Sequence, residues 1–260
     1  MSIPRGWERL QAAGNIHNLH LAAGTASGPY RQDLPFMDSD LYKWLEAVGW
    51  LVSNEDVDPS TRADLEGRVD EAVELLANAQ QPDGYLNSYF QVARPGERFV
   101  DLDWGHELYC AGHLIQAAVA HNRATGRTDL LDIATRMADL VETSFGTAPG
   151  LIDGLDGHPE IETALVELYR TTGEERYLRR AQYFIDRRGH GLLGDGRRDG
   201  STFGPRYWQD HTPVRGATTV AGHAVRQLYL LAGVVDVYAE TGEHALSMPP
   251  NGSGRRWWPP

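Results

Sequence analysis

The sequence predicts an all-α protein, an incomplete (α/α)6 barrel built from helical hairpins. Three observations carry that prediction. Apolar residues recur at helical spacing in seven separate stretches. The connections alternate between tight glycine-containing turns and long loops rich in Gly, Pro and Asp. No alternating β pattern runs for more than a few residues.

The stretches follow in order. Leu41, Trp44, Leu45, Val48 and Val52 repeat behind Asp38, a residue type suited to an N-cap. Pro59 suits the first position of a second helix, with Leu65, Val69, Ala72, Val73 and Leu76 on one face. A third is expected from about His106, carrying Leu108, Ile115 and Val119. A fourth holds Leu130, Ala134, Met137 and Val141. A fifth is expected from Pro159, with His158 as a candidate cap and Ile161, Leu165 and Leu168 on its face. A sixth holds Tyr177, Ala181 and Phe184. The seventh, expected from about Thr218, holds Ala224, Leu228, Leu231, Val235 and Tyr238.

Tight turns recur as Ala124-Thr125-Gly126, Thr171-Thr172-Gly173 and Glu240-Thr241-Gly242, where each glycine can close a helix in a left-handed conformation. The segments 81–105, 146–157 and 189–213 are the long loops. Hairpins of this kind cannot bury both faces alone, so they must stack. Because the loops are short on one side only, a ring of alternating inner and outer helices is expected rather than an open solenoid. The long loops and every second helix N-terminus then share one rim, where functional residues concentrate. The expected partial barrel spans residues 1–246. Residues 247–260, with four prolines and two glycines, break the pattern one turn into an expected helix. They read as a disordered tail, whether through a reading frame lost near Leu246 or as a natural extension.

Composition narrows the function. The 260 residues are 41% hydrophobic and 23% charged, an ordinary globular balance. No stretch approaches the ~20 apolar residues of a membrane span, and Met1 to Leu10 lacks a secretory apolar core. The net charge of −12 has the wrong sign for a phosphate-backbone binder. The single cysteine, Cys110, fits a cytoplasmic location and cannot form an internal disulfide.

Three clusters carry candidate chemistry. Trp104-Gly105-His106-Glu107 opens the third helix, Gly157-His158-Pro159-Glu160 opens the fifth, and His223 and Arg226 lie at the seventh. Taken singly, each histidine reads equally as a packed, hydrogen-bonded residue. The spacing of His, Cys and acidic residues matches no structural zinc site. Asp38, Asp40, Gln81, Asp83, Trp104, Tyr207 and Trp208 fall at or near the same rim. Carboxylates suit sugar hydroxyls and aromatic rings suit sugar C–H faces. Gln81-Pro82-Asp83-Gly84-Tyr85 reads equally as a turn.

Five ordered segments resemble glycoside hydrolase family 127, the β-L-arabinofuranosidase family: Pro35 to Ala47, Gln81 to Phe90, His106 to His113, Gly157 to Tyr169 and His211 to Arg226. The resemblance implies retaining hydrolysis of terminal β-L-arabinofuranosyl residues. It implies a zinc-bound cysteine nucleophile beside further cysteines and a glutamate, with another glutamate as acid/base. Histidines matching His106, His158 and His223 line the sugar pocket. The family's catalytic residues lie beyond the point matching Leu246, and Cys110 matches none of them. The expectations are therefore no catalytic or metal-binding residue and no zinc in this chain. The expected substrate-binding residues are His106, His158, His223, Asp38, Asp40, Gln81, Asp83, Trp104 and Glu107, the expected partner is an arabinose-containing sugar, and hydrolysis is not expected. A sugar-binding remnant and a different α/α-barrel enzyme with paired carboxylates are the alternatives. A barrel without its final hairpins also leaves apolar faces uncovered, which favours aggregation or dimerisation over the gap.

Overall fold

The computed structural model describes residues 3–193 and 203–246. The tail expected at 247–260 lies outside the described residues, as does part of the loop 189–213. Among the described residues the regular elements are helices, with one isolated bridge between Phe145 and Ile152. No helix there is long and apolar enough to cross a membrane.

Among the described residues nine α-helices follow in order: α1 (Gly6–Ala13), α2 (Asn15–Ala22), α3 (Asp38–Val52), α4 (Pro59–Ala79), α5 (Glu107–Thr125), α6 (Asp129–Ser144), α7 (Ile161–Thr172), α8 (Glu175–Arg187) and α9 (Ala224–Thr241). All seven expected helices form. The sequence expectation contains no helix before Asp38, yet α1 and α2 are there. They are only eight residues each and are separated at Gly14, too short for a periodic pattern to register.

Helix starts differ from expectation at three places. Asp38 does not cap α3: it is the first helical residue, and its carboxylate accepts from Ser88 instead. Pro159 does not open α7, which begins at Ile161 after Glu160. The Glu162 side chain turns back to accept from the Glu160 N–H at 3.0 Å, so the chain before Ile161 is held off the helix axis. The last helix starts at Ala224 rather than near Thr218, with His223 as its cap. By contrast, Asp58 caps α4 through the Thr61 N–H and Pro59 is the first residue, as the sequence suggests.

The chain forms two compact units. The first holds α1 to α4, α6 and most of α5, with Leu19, Leu41, Tyr42, Leu45, Leu76 and Leu114 in its core. Its π-helical turn at Tyr89–Ala93 follows the 81–85 loop. The second holds residues 102–108 and the chain from Ser144 onward. Its core is Phe145, Leu155, Leu165, Tyr177, Phe184 and Trp208.

In the second unit α7 packs on both α8 and α9. Gly173 and Gly242 end α7 and α9 in left-handed conformations, as the tight turns require. The face of α8 is sharply divided, with Tyr177, Ala181, Phe184 and Ile185 buried. Arg170 on α7 holds Asp236 at 3.0 Å and Glu240 at 2.6 Å, both on α9. These three helices form the platform for the loops that carry the candidate site.

Candidate functional site

His106, His158 and His223 all lie in the second unit. The structure brings the rings of His106 and His158 to 5.8 Å. His106 and His158 are buried, and His223 is half-buried.

Each histidine has a backbone partner that sets its tautomer. His106 Nδ1 contacts the Trp104 carbonyl, and His158 Nδ1 lies 2.9 Å from the Pro159 carbonyl. A carbonyl only accepts, so each Nδ1 carries a proton, and a neutral ring then presents Nε2 as a lone-pair acceptor. His223 is opposite: its Nδ1 accepts from the Arg226 N–H at 3.5 Å. Its neutral ring therefore carries the proton on Nε2, as a donor. Burial pushes the His158 ring down to about 3, against its bond to Pro159 and with added repulsion from His106, Arg226 and His223. So His158 is neutral at physiological pH. Ring nitrogens that offer both acceptors and donors suit the hydroxyls of a polyol.

His106 stands in the left-handed region at φ +55, immediately before α5. Such a conformation is uncommon outside glycine and costs about 1 kcal/mol or more, which the surroundings must offset. Those surroundings are traceable. Asp156 accepts from the Leu108 N–H at 3.0 Å and from the His158 N–H at 2.8 Å. One buried carboxylate thus joins the start of α5 to the His158 loop. Arg188 on the far side of the loop is fully buried, donating to the Asp156 carbonyl at 2.7 Å and the Trp208 carbonyl at 2.8 Å. Its guanidinium also lies 3.6 Å from the buried Glu162 carboxylate. Burial raises Glu162 and lowers Arg188, and each partner opposes the other's shift.

Gly157 is where this loop meets residue 103. A Cβ there would sit 2.1 Å from the Asp103 carbonyl oxygen and 2.8 Å from the Trp208 ring. We expect Gly157→Ala to lower stability by about 1–3 kcal/mol through this overpacking, measured by urea unfolding. A variant as stable as the parent would contradict the close contact.

Aromatic rings wall the site. Trp104 packs on Trp208 at 4.8 Å and on Phe203 at 5.7 Å, Tyr207 lies 5.5 Å from His223, and Tyr229 lies 5.1 Å from His158. Arg226, from the first turn of α9, is buried with its guanidinium carbon 4.3 Å from the Trp208 ring and 5.0 Å from Tyr207. Burial lowers its ordinary value, and Tyr207 opposes that. Its Nε and Nη1 have no hydrogen-bond partner among the described residues, so stacking on the rings is what holds it.

The nine expected site residues divide between the units. Trp104, His106, Glu107, His158 and His223 belong to the second, and Glu107 is buried at the first position of α5. Asp38, Asp40, Gln81 and Asp83 belong to the first. Asp38 is fully engaged by Ser88, through N–H and hydroxyl, and burial pushes its carboxyl up to about 6. Asp40 is exposed, with Asn15 Nδ2 at 3.5 Å. Gln81 and Asp83 sit in a docked turn. Gln81 exchanges backbone bonds with Gly84 and Tyr85, and Arg136 holds its carbonyl at 3.1 Å. Asp83 pairs with Arg98 at 2.7 Å, which together with the Tyr85 N–H outweighs burial and lowers its carboxyl.

Asp156 and Arg188, absent from the sequence expectation, prove central to the architecture alongside Glu162. A carboxylate flanked by glycines in Gly154-Leu155-Asp156-Gly157 was the available signal for the first. Arg188 gave none, since a lone Arg at a helix end normally reads as solvated.

Helical hairpins bearing a histidine cluster, with aromatic walls beside it, define the class: an all-α, incomplete α/α-barrel protein. The chain belongs to glycoside hydrolase family 127. The family model "Beta-L-arabinofuranosidase, GH127 catalytic domain" matches residues 1–249. The chain is similar to the non-reducing end β-L-arabinofuranosidase of Bifidobacterium longum subsp. longum, at 39% identity over 94% of this chain and 38% of that protein. It is similar to the crystal structure of a GH127 β-L-arabinofuranosidase from Geobacillus stearothermophilus T6, with a TM-score of 0.85 and 44% identity, covering 94% of this chain and 40% of that one. A further GH127 β-arabinofuranosidase structure matches with a TM-score of 0.82 at 32% identity, over 95% of this chain and 38% of that chain. The chain thus spans about two fifths of the length of these relatives.

Proposed function

We propose that this chain carries the histidine half of a GH127 sugar site: it binds a terminal β-L-arabinofuranosyl residue and does not hydrolyse it unaided. The observation that carries the reading is the pairing of His106 with His158 at 5.8 Å, both tautomers set by backbone carbonyls. In this reading the Nε2 atoms of His106 and His158 accept from sugar hydroxyls, and His223 donates to a third oxygen. Trp104 and Tyr207 take the apolar face of the furanose ring. Buried, mutually braced side chains of this kind lose little freedom on binding. The Bifidobacterium and Geobacillus relatives are named as β-L-arabinofuranosidases, which supplies the sugar.

The chemistry is a separate matter. The resemblance implies a zinc centre of several cysteines, and this chain has one cysteine. Cys110 is buried, with its Sγ 3.8 Å from the Pro35 carbonyl. Among the described residues no three His, Cys, Asp or Glu side chains gather as a metal site would require. The residues present do not fit that group, so no step through zinc is assigned to them.

The test is calorimetric titration of the purified chain with methyl β-L-arabinofuranoside, alongside release of p-nitrophenol from the aryl β-L-arabinofuranoside. The expected result is saturable binding, weakened about tenfold or more in His158→Ala by loss of a buried hydrogen bond, and no release with or without zinc. Absence of saturable binding contradicts the first part, and release of p-nitrophenol contradicts the second.

A further inference from the structure

Three effects oppose Arg226 where it stands. It is 4% exposed, so its cation is nearly stripped of water. It lies in the first turn of α9, where the positive end of the helix disfavours a positive side chain. Its Nε and Nη1 make no hydrogen bond among the described residues. Burial lowers its ordinary value; Tyr207, Asp156 and Asp103 oppose this and Arg188 adds to it. Stability alone would favour an apolar side chain here, because exchanging a buried charge for a hydrophobic group of similar volume is often neutral or stabilising.

Its contacts lie with the aromatic wall of the histidine site. The guanidinium carbon is 4.3 Å from the Trp208 ring, 5.0 Å from Tyr207 and 5.3 Å from Trp104. The backbone beneath Tyr207 is already fixed, its carbonyl accepting from the His223 N–H at 3.3 Å and from Gln209 Nε2 at 3.0 Å. Gln209 Nε2 also reaches the His223 carbonyl at 3.3 Å. Those bonds set where the Tyr207 side chain begins and leave its torsions open. The ring, 5.5 Å from His223 and 4.3 Å from Phe203, takes its orientation from what packs on it. Trp104 stands on a loop rather than a helix, 4.8 Å from Trp208, with Arg226 against both. The Arg226 N–H also donates to His223 Nδ1 at 3.5 Å. One residue thus touches three rings of the wall and the third histidine.

We propose that Arg226 is a positioning residue of the sugar site: its guanidinium, stacked among Trp104, Tyr207 and Trp208, holds the rings of Trp104 and Tyr207 in the orientation that receives a furanose, at a cost in stability. The inference rests on the sugar-binding reading above. A planar cation suits the task because it stacks on several aromatic faces at once. Rings already oriented lose little freedom when the sugar arrives, so the stability given up returns as affinity.

The test compares Arg226→Met and Arg226→Lys with the parent chain by urea unfolding, near-ultraviolet circular dichroism and calorimetric titration with methyl β-L-arabinofuranoside. Arg226→Met is expected to unfold at the same urea concentration as the parent or a higher one. Its near-ultraviolet spectrum changes while the helical far-ultraviolet spectrum does not. Its sugar affinity falls about tenfold or more. Arg226→Lys keeps a cation beside the rings and recovers part of that affinity. An arginine with a merely structural role would instead lose stability and affinity together. Four outcomes overturn the proposal: an Arg226→Met chain that fails to fold or unfolds at lower urea, an unchanged near-ultraviolet spectrum, full affinity in that variant, or a lysine variant no better than the methionine one. A parent chain that binds no sugar is the failure of the sugar-binding reading; the urea midpoint and the near-ultraviolet spectrum still decide whether Arg226 orders the wall.

Discussion

Arg188→Met is expected to lower stability by about 3–5 kcal/mol, the range for breaking a buried ion pair by removing one partner. Arg188 has no exposed surface, and its guanidinium satisfies the carbonyls of Asp156 and Trp208. Methionine fills much of the volume but leaves both carbonyls unpaired and the Glu162 carboxylate buried without its cation. Glu162→Gln is the milder change, since it removes the charge that needs Arg188 while keeping an acceptor. Urea unfolding of the two variants decides the matter. A loss under about 1 kcal/mol in Arg188→Met would show that water or rearrangement replaces the guanidinium. Because Asp156 holds both the start of α5 and the His158 loop, the same variant is expected to weaken sugar binding as well.

Acid sensitivity is the second large effect. The His158 ring titrates at about 3 in the folded chain and near 6.5 when unfolded. A depressed folded value means the unfolded state takes up the proton first, so the contribution is fully present above about 6.5 and lost as pH falls towards 3. Well inside that window the slope approaches about 1.4 kcal/mol per pH unit, which gives roughly 2 kcal/mol between pH 6.5 and 4.5. Asp38 acts in the opposite sense. Its folded value of about 6 exceeds the unfolded one, so its contribution is present below about 4 and lost as pH rises through 6. Comparing the parent with His158→Asn isolates the histidine, because Asp38 is common to both. The stability difference between the two chains is expected to shrink by about 2 kcal/mol from pH 6.5 to 4.5. A pH-independent difference would mean that His158 is not held neutral by burial.

Much of the fold was legible because hairpins advertise themselves. The apolar faces of α4, α6 and α8 are long and one-sided, and Gly173 and Gly242 sit where the helices end. The failures have local causes. Asp38, Pro159 and Thr218 were sound starting signals by residue type, but Ser88, the Glu162 side chain and the His223 cap each offered the backbone a better arrangement. The α1–α2 pair was invisible because eight residues hold only two turns of periodicity.

The site was legible in part and for a different reason. His106, His158 and His223 stood out as histidines at expected helix starts, and the structure places all three in one unit with Trp104 and Tyr207. What holds them was not legible. Asp156 and Arg188 act through backbone groups 20 to 48 residues distant, and no spacing rule reports such bonds. Asp83 shows the reverse: Pro-Asp-Gly drew attention as possible chemistry, and its carboxylate is spent on Arg98 and the Tyr85 N–H.

The central claim is that three histidines with preset tautomers receive one furanose ring. The most direct measurement is a histidine-ring NMR titration of the full chain with methyl β-L-arabinofuranoside, with His17 and His20 as internal references in the other unit. The account predicts that the Nε2 signals of His106, His158 and His223 move together along one saturable curve while His17 and His20 stay still. Saturation that leaves those three rings unmoved, or that moves His17 and His20 instead, would contradict it.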